Sequence, residues 1–222
     1  MVKKEDSIIH YECTIHPNGY EWVYSDYTKD WYYVPRIKKQ KEKLITKPLD
    51  QEAYIHFANC SVDLNNSDSV ESDKKVVEDF VNEYGCFLGS ERYGPNDLKA
   101  MDEEDWHDNF QSLEGFHLVS SHFLGEIETM MWGTDKDKSD MLTDMEVGGG
   151  NLLFEKKESG WALVFKPEYL SQAIDLQFGL AINMMKYFAQ CEVCYKIMFP
   201  SKSTALTCSI KCRVKKHRSK QK

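Results

Sequence analysis

Three runs near the amino end are dense in β-branched and aromatic residues: Ile8-Ile9-His10-Tyr11-Glu12-Cys13-Thr14-Ile15, Tyr20-Glu21-Trp22-Val23-Tyr24 and Trp31-Tyr32-Tyr33-Val34. Such residues suit a pleated, half-buried surface, and Pro17-Asn18-Gly19 and Ser25-Asp26 supply turns between them. The arrangement predicts a small antiparallel meander within a strand-rich lobe of about residues 1–48. Residues 38–43 form a solvated basic run, and Pro48 marks a loop into a helix over about 50–59.

From about residue 50 the spacing of apolar positions is helical. Residues 63–73 are polar and read as a loop, with Ser72 or Asp73 capping a helix whose face holds Val76, Val77, Phe80 and Val81 before Gly85 ends it. After a loop around Gly89 to Pro95, the acids Asp102-Glu103-Glu104-Asp105 suit a helix amino terminus. Trp106, Phe110, Leu113, His117, Ser120, Leu124, Ile127 and Met131 then recur at steps of three and four, predicting one long amphipathic helix that Gly115 and Gly125 could bend. The chain turns polar and loose through Asp135-Lys136-Asp137-Lys138 to Gly148-Gly149-Gly150. Leu152-Leu153-Phe154-Glu155 and Trp161-Ala162-Leu163-Val164-Phe165, flanking Ser159-Gly160, predict a hairpin. Pro167 fits the first turn of a last long helix to about Ala189, apolar nearly all round and so expected at the centre of the core. The class expected is α+β: a strand-rich lobe, a mainly helical body completing residues 1–189, and a small unit over 190–222.

That last unit carries the clearest chemistry. Cys191-x2-Cys194 and Cys208-x3-Cys212 are paired short spacings of the kind that converge four soft thiolates on one tetrahedral Zn2+. The wider second spacing fits a pair straddling a turn and the start of a helix, and the thirteen residues between the pairs suit a short hairpin with Phe199-Pro200 as its apolar anchor. Four protein ligands leave no open position, so the expected zinc is structural, and metal binding should supply most of the folding energy of a segment with few apolar residues. His217 reads as a solvated tail histidine. Cys13, Cys60 and Cys86 read as small buried hydrophobes.

Charge sharpens the division. The chain carries −8 overall, but residues 191–222 hold nine Lys or Arg against the single acid Glu192, a net of +8 that leaves −16 on the preceding 190 residues. An acidic body with a basic tail is the pattern of a nucleic-acid contact or of a tail docked on its own body. Arg213, Lys215, Lys216, Arg218 and Lys220 are the candidate phosphate contacts to DNA or RNA. A solubilising role fits the same charges. No aromatic is interleaved among them, so stacking on single strands is not indicated.

The finger, Cys191-Glu192-Val193-Cys194, then Phe199, then Cys208-Ser209-Ile210-Lys211-Cys212-Arg213 with Lys215, Lys216 and Arg218 trailing, resembles the carboxy-terminal four-cysteine finger of uncharacterised bacterial proteins related to the CGNR-type zinc fingers. The resemblance extends upstream to Tyr33-Val34-Pro35-Arg36, Lys47-Pro48-Leu49, Phe57-Ala58 and Phe80 to Gly89. It implies long helices running into a zinc finger, without an agreed activity to carry over. The Gly-Asn-Arg that gives the CGNR finger its name does not follow Cys212 here.

Three functions stay open on this reading. One is a nucleic-acid-binding or regulatory module using the finger and basic tail. Another is a helical effector enzyme, nuclease or toxin-like, with candidates His107, His117 and His122 and the acids Glu103, Glu104, Asp105, Glu126 and Glu128, although no His-Glu-x-x-His, phosphate loop or Gly-x-Ser-x-Gly occurs. A protein-interaction adaptor with a purely structural finger is the third. The charged residues 1–6 have no apolar run behind them, and the apolar stretch of residues 169–188 is interrupted by Asp175, Gln177, Asn183 and Lys186. Neither a secretory signal nor a membrane span is therefore expected, and the seven cysteines suit a metal site in the cytoplasm better than a disulfide framework.

Overall fold

The computed structural model describes residues 11–36, 43–87, 101–102, 110–144, 150–157, 160–167, 169–184, 187–200 and 205–219. Their order is β1 (Glu12–Ile15), β2 (Tyr20–Tyr24), β3 (Trp31–Pro35), β4 (Ile45–Pro48), α1 (Ala53–Asn65), α2 (Val70–Tyr84), β5 (Gln111–Ser112), α3 (Leu113–Trp132), α4 (Asp135–Asp144), β6 (Gly150–Lys157), β7 (Gly160–Pro167), α5 (Leu170–Asn183), β8 (Ala189–Gln190), β9 (Ile197–Met198) and α6 (Ile210–Ser219). The fold is mixed α and β, with strands at the amino end and a cysteine cluster at the carboxy end. Among the described residues no helix is long and apolar enough to cross a membrane.

The amino-terminal strands pair differently from a simple meander. β2 and β3 form the expected antiparallel hairpin, Trp22 opposite Tyr33, but β1 pairs with β4, Cys13 opposite Lys47, and β5 adds to the free edge of β3. Gly19, at φ 68, closes a turn in which its N–H donates to the His16 carbonyl, and it redirects the chain between β1 and β2. Pro48, expected to mark the loop into the next helix, is the last residue of β4, a position at which proline is tolerated on an edge strand.

The central helix is α1 rather than the last long one. Nine of its residues are buried, on all sides: Ala53, Tyr54, Ile55, Phe57, Ala58, Cys60, Ser61, Val62 and Leu64. The Phe57 ring lies 4.5 Å from Phe87, 5.3 Å from Phe80 and 5.4 Å from Phe116, tying α1 to α2 and α3. Tyr54, one turn earlier, meets Phe178 of α5, Phe188 and Phe199 at 5.8–6.4 Å. Such offset and edge-on ring contacts dominate the packing of the core.

Helix boundaries differ from the apolar periodicity where side-chain caps decide them. α1 continues to Asn65, and α2 is capped by Ser69, whose Oγ accepts the Ser72 N–H at 3.2 Å, not by Ser72 or Asp73. Gly85 ends α2 with φ 86, as expected. The long helix does not run from Asp102: residues 103–109 lie outside the described set, Gln111–Ser112 pairs with β3, and Ser112 Oγ accepts the Gly115 N–H at 2.9 Å to open α3. α4 occupies the segment expected to be loose because Thr134 and Asp137 form a reciprocal capping box, Thr134 N–H donating to Asp137 at 2.8 Å and Asp137 N–H to Thr134 Oγ1 at 3.2 Å. The β6–β7 hairpin is present, but Pro167 closes β7 and α5 starts at Leu170 and stops at Asn183. Of the glycine triplet only Gly150, the first residue of β6, is described. Cys13, Cys60 and Cys86 are buried.

The apolar core also continues past Gln190. Ile197 is 2% exposed within the cluster built on α1, and Phe199 packs against it, so the helices before that point do not supply the whole core.

Candidate metal centre

The first cysteine pair sits in a knuckle between β8 and β9, where Gln190 is opposite Ile197. The Cys191 N–H donates to the Lys196 carbonyl at 2.9 Å, and the Tyr195 N–H donates back to the Cys191 carbonyl at 2.8 Å. Tyr195 holds φ 62 to close the turn. That left-handed backbone is uncommon outside glycine and asparagine and carries a modest strain.

The second pair brackets the start of α6. Ser209 Oγ accepts the Cys212 N–H at 3.3 Å and the Ser209 carbonyl accepts the Arg213 N–H at 3.0 Å, so Cys212 lies in the first helical turn. Two bonds lay this segment on the knuckle: Glu192 N–H to the Leu206 carbonyl at 3.1 Å, and Cys208 N–H to Cys191 Sγ at 3.4 Å.

Together these elements bring Sγ of Cys191, Cys194, Cys208 and Cys212 within 4.8 Å of one another, close enough to hold a metal ion. Cys194 and Cys208 sulfurs are 3.5 Å apart and Cys208 and Cys212 sulfurs 3.6 Å. A disulfide needs about 2.05 Å, whereas Zn–S bonds of about 2.3 Å in a tetrahedron set S···S edges of about 3.8 Å. These separations are too long for a disulfide and suit sulfurs that share one metal ion. Burial opposes ionisation of the Cys191 thiol, but the N–H groups of Cys208, Val193 and Cys194 directed at its sulfur outweigh it and bring it down to about 6. Burial, reinforced by the neighbouring sulfurs, pushes Cys194 up to about 12, and burial raises Cys208. Without a cation the cluster cannot hold four negative charges; a soft dication removes that conflict. His217 is exposed and outside this group.

The knuckle is fastened to α1. Lys196 Nζ pairs with Asp63 at 2.6 Å, and Asn59 bonds the backbone of Ile197. α6 is different, having no buried residue. Its Lys211, Arg213, Lys215 and Arg218 are exposed, Lys216 pairs with Glu192 of the knuckle, and Lys220 lies outside the described residues.

Among the described residues the candidates for catalysis do not all assemble into one site. His107, Glu103, Glu104 and Asp105 lie outside the described residues. His117 is exposed, 3.2 Å from the Asn65 side chain. His122 lies 3.5 Å from Glu126, and sequence reasoning missed the group that joins them, Asp175 of α5. Burial, then the nearby Glu126 charge, pushes Asp175 up to about 6, while His122 draws it down; burial also raises Glu126. Nothing local in the sequence pairs residues about fifty positions apart.

Compared with known proteins, the chain matches no family model, no curated protein and no solved structure.

Proposed function

We propose that residues 190–222 form a structural zinc finger and that this finger, with α6, serves as a nucleic-acid-binding or regulatory module. The observation carrying the reading is that a four-sulfur cluster includes the first turn of a helix whose Lys211, Arg213, Lys215 and Arg218 are exposed. The metal fixes the helix, and the helix presents cations that pair with no carboxylate among the described residues. Phosphates are the complementary partner, and a +8 segment beside a −16 body limits contact to this end of the chain. Four convergent thiolates, all from protein, are the donor set that favours Zn2+ among common divalent ions.

Elemental analysis of purified protein should return one zinc per chain. In electrophoretic shift assays the protein should retard DNA or RNA at low salt, and four phosphate contacts should give a log–log salt slope of about −3 to −4 on duplex DNA. Deleting residues 214–222 should abolish the shift. Retention of the full shift by the truncated chain, or none by the intact one, would overturn the assignment.

A further inference from the structure

Beside the finger lies a cleft of about 790 Å³, lined by residues from the end of α3, the segment after α5, and the knuckle. Its aromatic members come from three separate elements: Trp132 closes α3, Tyr187 precedes β8, and Tyr195 forms the knuckle turn. Their exposures are 60%, 63% and 57%, so the rings are neither core nor fully covered by one another. Met131 and Phe188 form part of the apolar wall. The basic tail has no aromatic of its own, but the cleft supplies what it lacks.

On the knuckle side the cleft adjoins the basic helix α6, whereas beyond Trp132 the exposed Asp135 and Asp137 open α4. Among the described residues of the lining Glu192 is the only acid, and its carboxylate is paired with Lys216. That ion pair sets α6 against the cleft rim, with Lys211, Arg213, Lys215 and Arg218 exposed on the helix. Exposed π-faces beside a cationic track are the two parts needed to bind a strand whose bases are unstacked: the rings take bases of any sequence, and the cations follow the phosphates. A duplex hides its base faces and could use only the cations.

We infer that this cleft stacks the bases of a single-stranded polynucleotide whose phosphates run along α6. The inference rests on the nucleic-acid reading of α6 and adds to it a preference for unpaired strands. A protein segment would also value the apolar wall, but the five cations of α6 favour a polyanion.

Fluorescence anisotropy of the zinc-loaded full chain, with labelled twelve-nucleotide oligo(U) and oligo(dT) and a twelve-base-pair duplex, tests this. Both single strands should bind at least tenfold more tightly than the duplex and quench tryptophan emission, and the quench should be lost in Trp132→Leu. Trp132→Leu and Tyr187→Leu should each weaken single-strand binding by about 5- to 150-fold. They should leave duplex binding, zinc content and the salt slope unchanged, because both side chains are more than half exposed. Lys215→Gln with Arg218→Gln should instead weaken both substrates and flatten the slope. Equal affinity for strand and duplex, or aromatic variants that bind as the parent does, overturns the stacking cleft while the reading of α6 stands. Binding of no polynucleotide overturns both.

Discussion

The side-chain amide of Asn59 in α1 bonds both backbone groups of Ile197 in β9, donating to its carbonyl at 3.0 Å and accepting its N–H at 2.6 Å. One residue of the central helix thus takes the place of a neighbouring strand at the knuckle. Ile197 is nearly fully buried, so without Asn59 its polar backbone atoms face the core unpartnered.

Asn59→Ala should therefore destabilise the docked knuckle by about 1–3 kcal/mol. Asn59→Asp keeps only the acceptor and sets a negative charge against a carbonyl, so it should be at least as damaging. Hydrogen exchange should show lost protection at Ile197 in both variants. Unchanged exchange there would remove Asn59 from the interface.

Metal removal should divide the carboxy-terminal segment in two. β9 is held to α1 by Asn59, by Ile197 in the core and by the Lys196–Asp63 pair, whereas α6 buries no side chain. A ten-residue helix is too short to persist alone in water. Cys208→Ser, or chelation, should release the metal and open residues 205–219 to protease while β9 stays protected. Equal loss at both would mean that the metal also holds the knuckle on α1.

The Asp175 carboxyl makes stability depend on pH. Its pKa is raised to about 6 in the folded chain from an ordinary 3.8, so between those values the folded state binds more protons than the unfolded. Stability should fall as pH rises through that window, and the cost, on the order of 2–3 kcal/mol, is fully present above it. Asp175→Asn should be more stable than the parent at pH 7.5 and close to it at pH 4, as read by urea denaturation. Parallel profiles would contradict this.

Ser112 joins β5 to α3 and caps the helix through Gly115. Ser112→Ala should cost about 1 kcal/mol of global stability. Ser112→Asp, which retains an acceptor and adds a charge suited to the helix dipole, should restore it. Thermal unfolding of the two variants separates a capping role from a steric one.

Local chemistry made several elements legible. The β2–β3 and β6–β7 hairpins follow from strand formers around short turns, Gly85 ends α2 where left-handed backbone is required, and the cysteine spacing marks a cluster because two knuckle turns need only a few residues each. Boundaries failed where a side-chain cap outweighed apolar periodicity, at Ser69, Ser112 and the Thr134–Asp137 pair.

Pairings between distant segments had no local signature. β1 with β4, Tyr54 with Phe199, Glu126 with Asp175, and Trp132 with Tyr187 and Tyr195 each join residues far apart along the chain. Periodicity states that a face will be buried but not against what; that is settled by which faces of α1, α3 and α5 fit together with fewest voids and unpaired polar atoms. The four thiols lie within one 22-residue span, where turn geometry suffices to gather them. Tyr187 and Tyr195 lie in or next to that span, and only packing of α3 and the knuckle around α1 brings Trp132 beside the cysteine cluster.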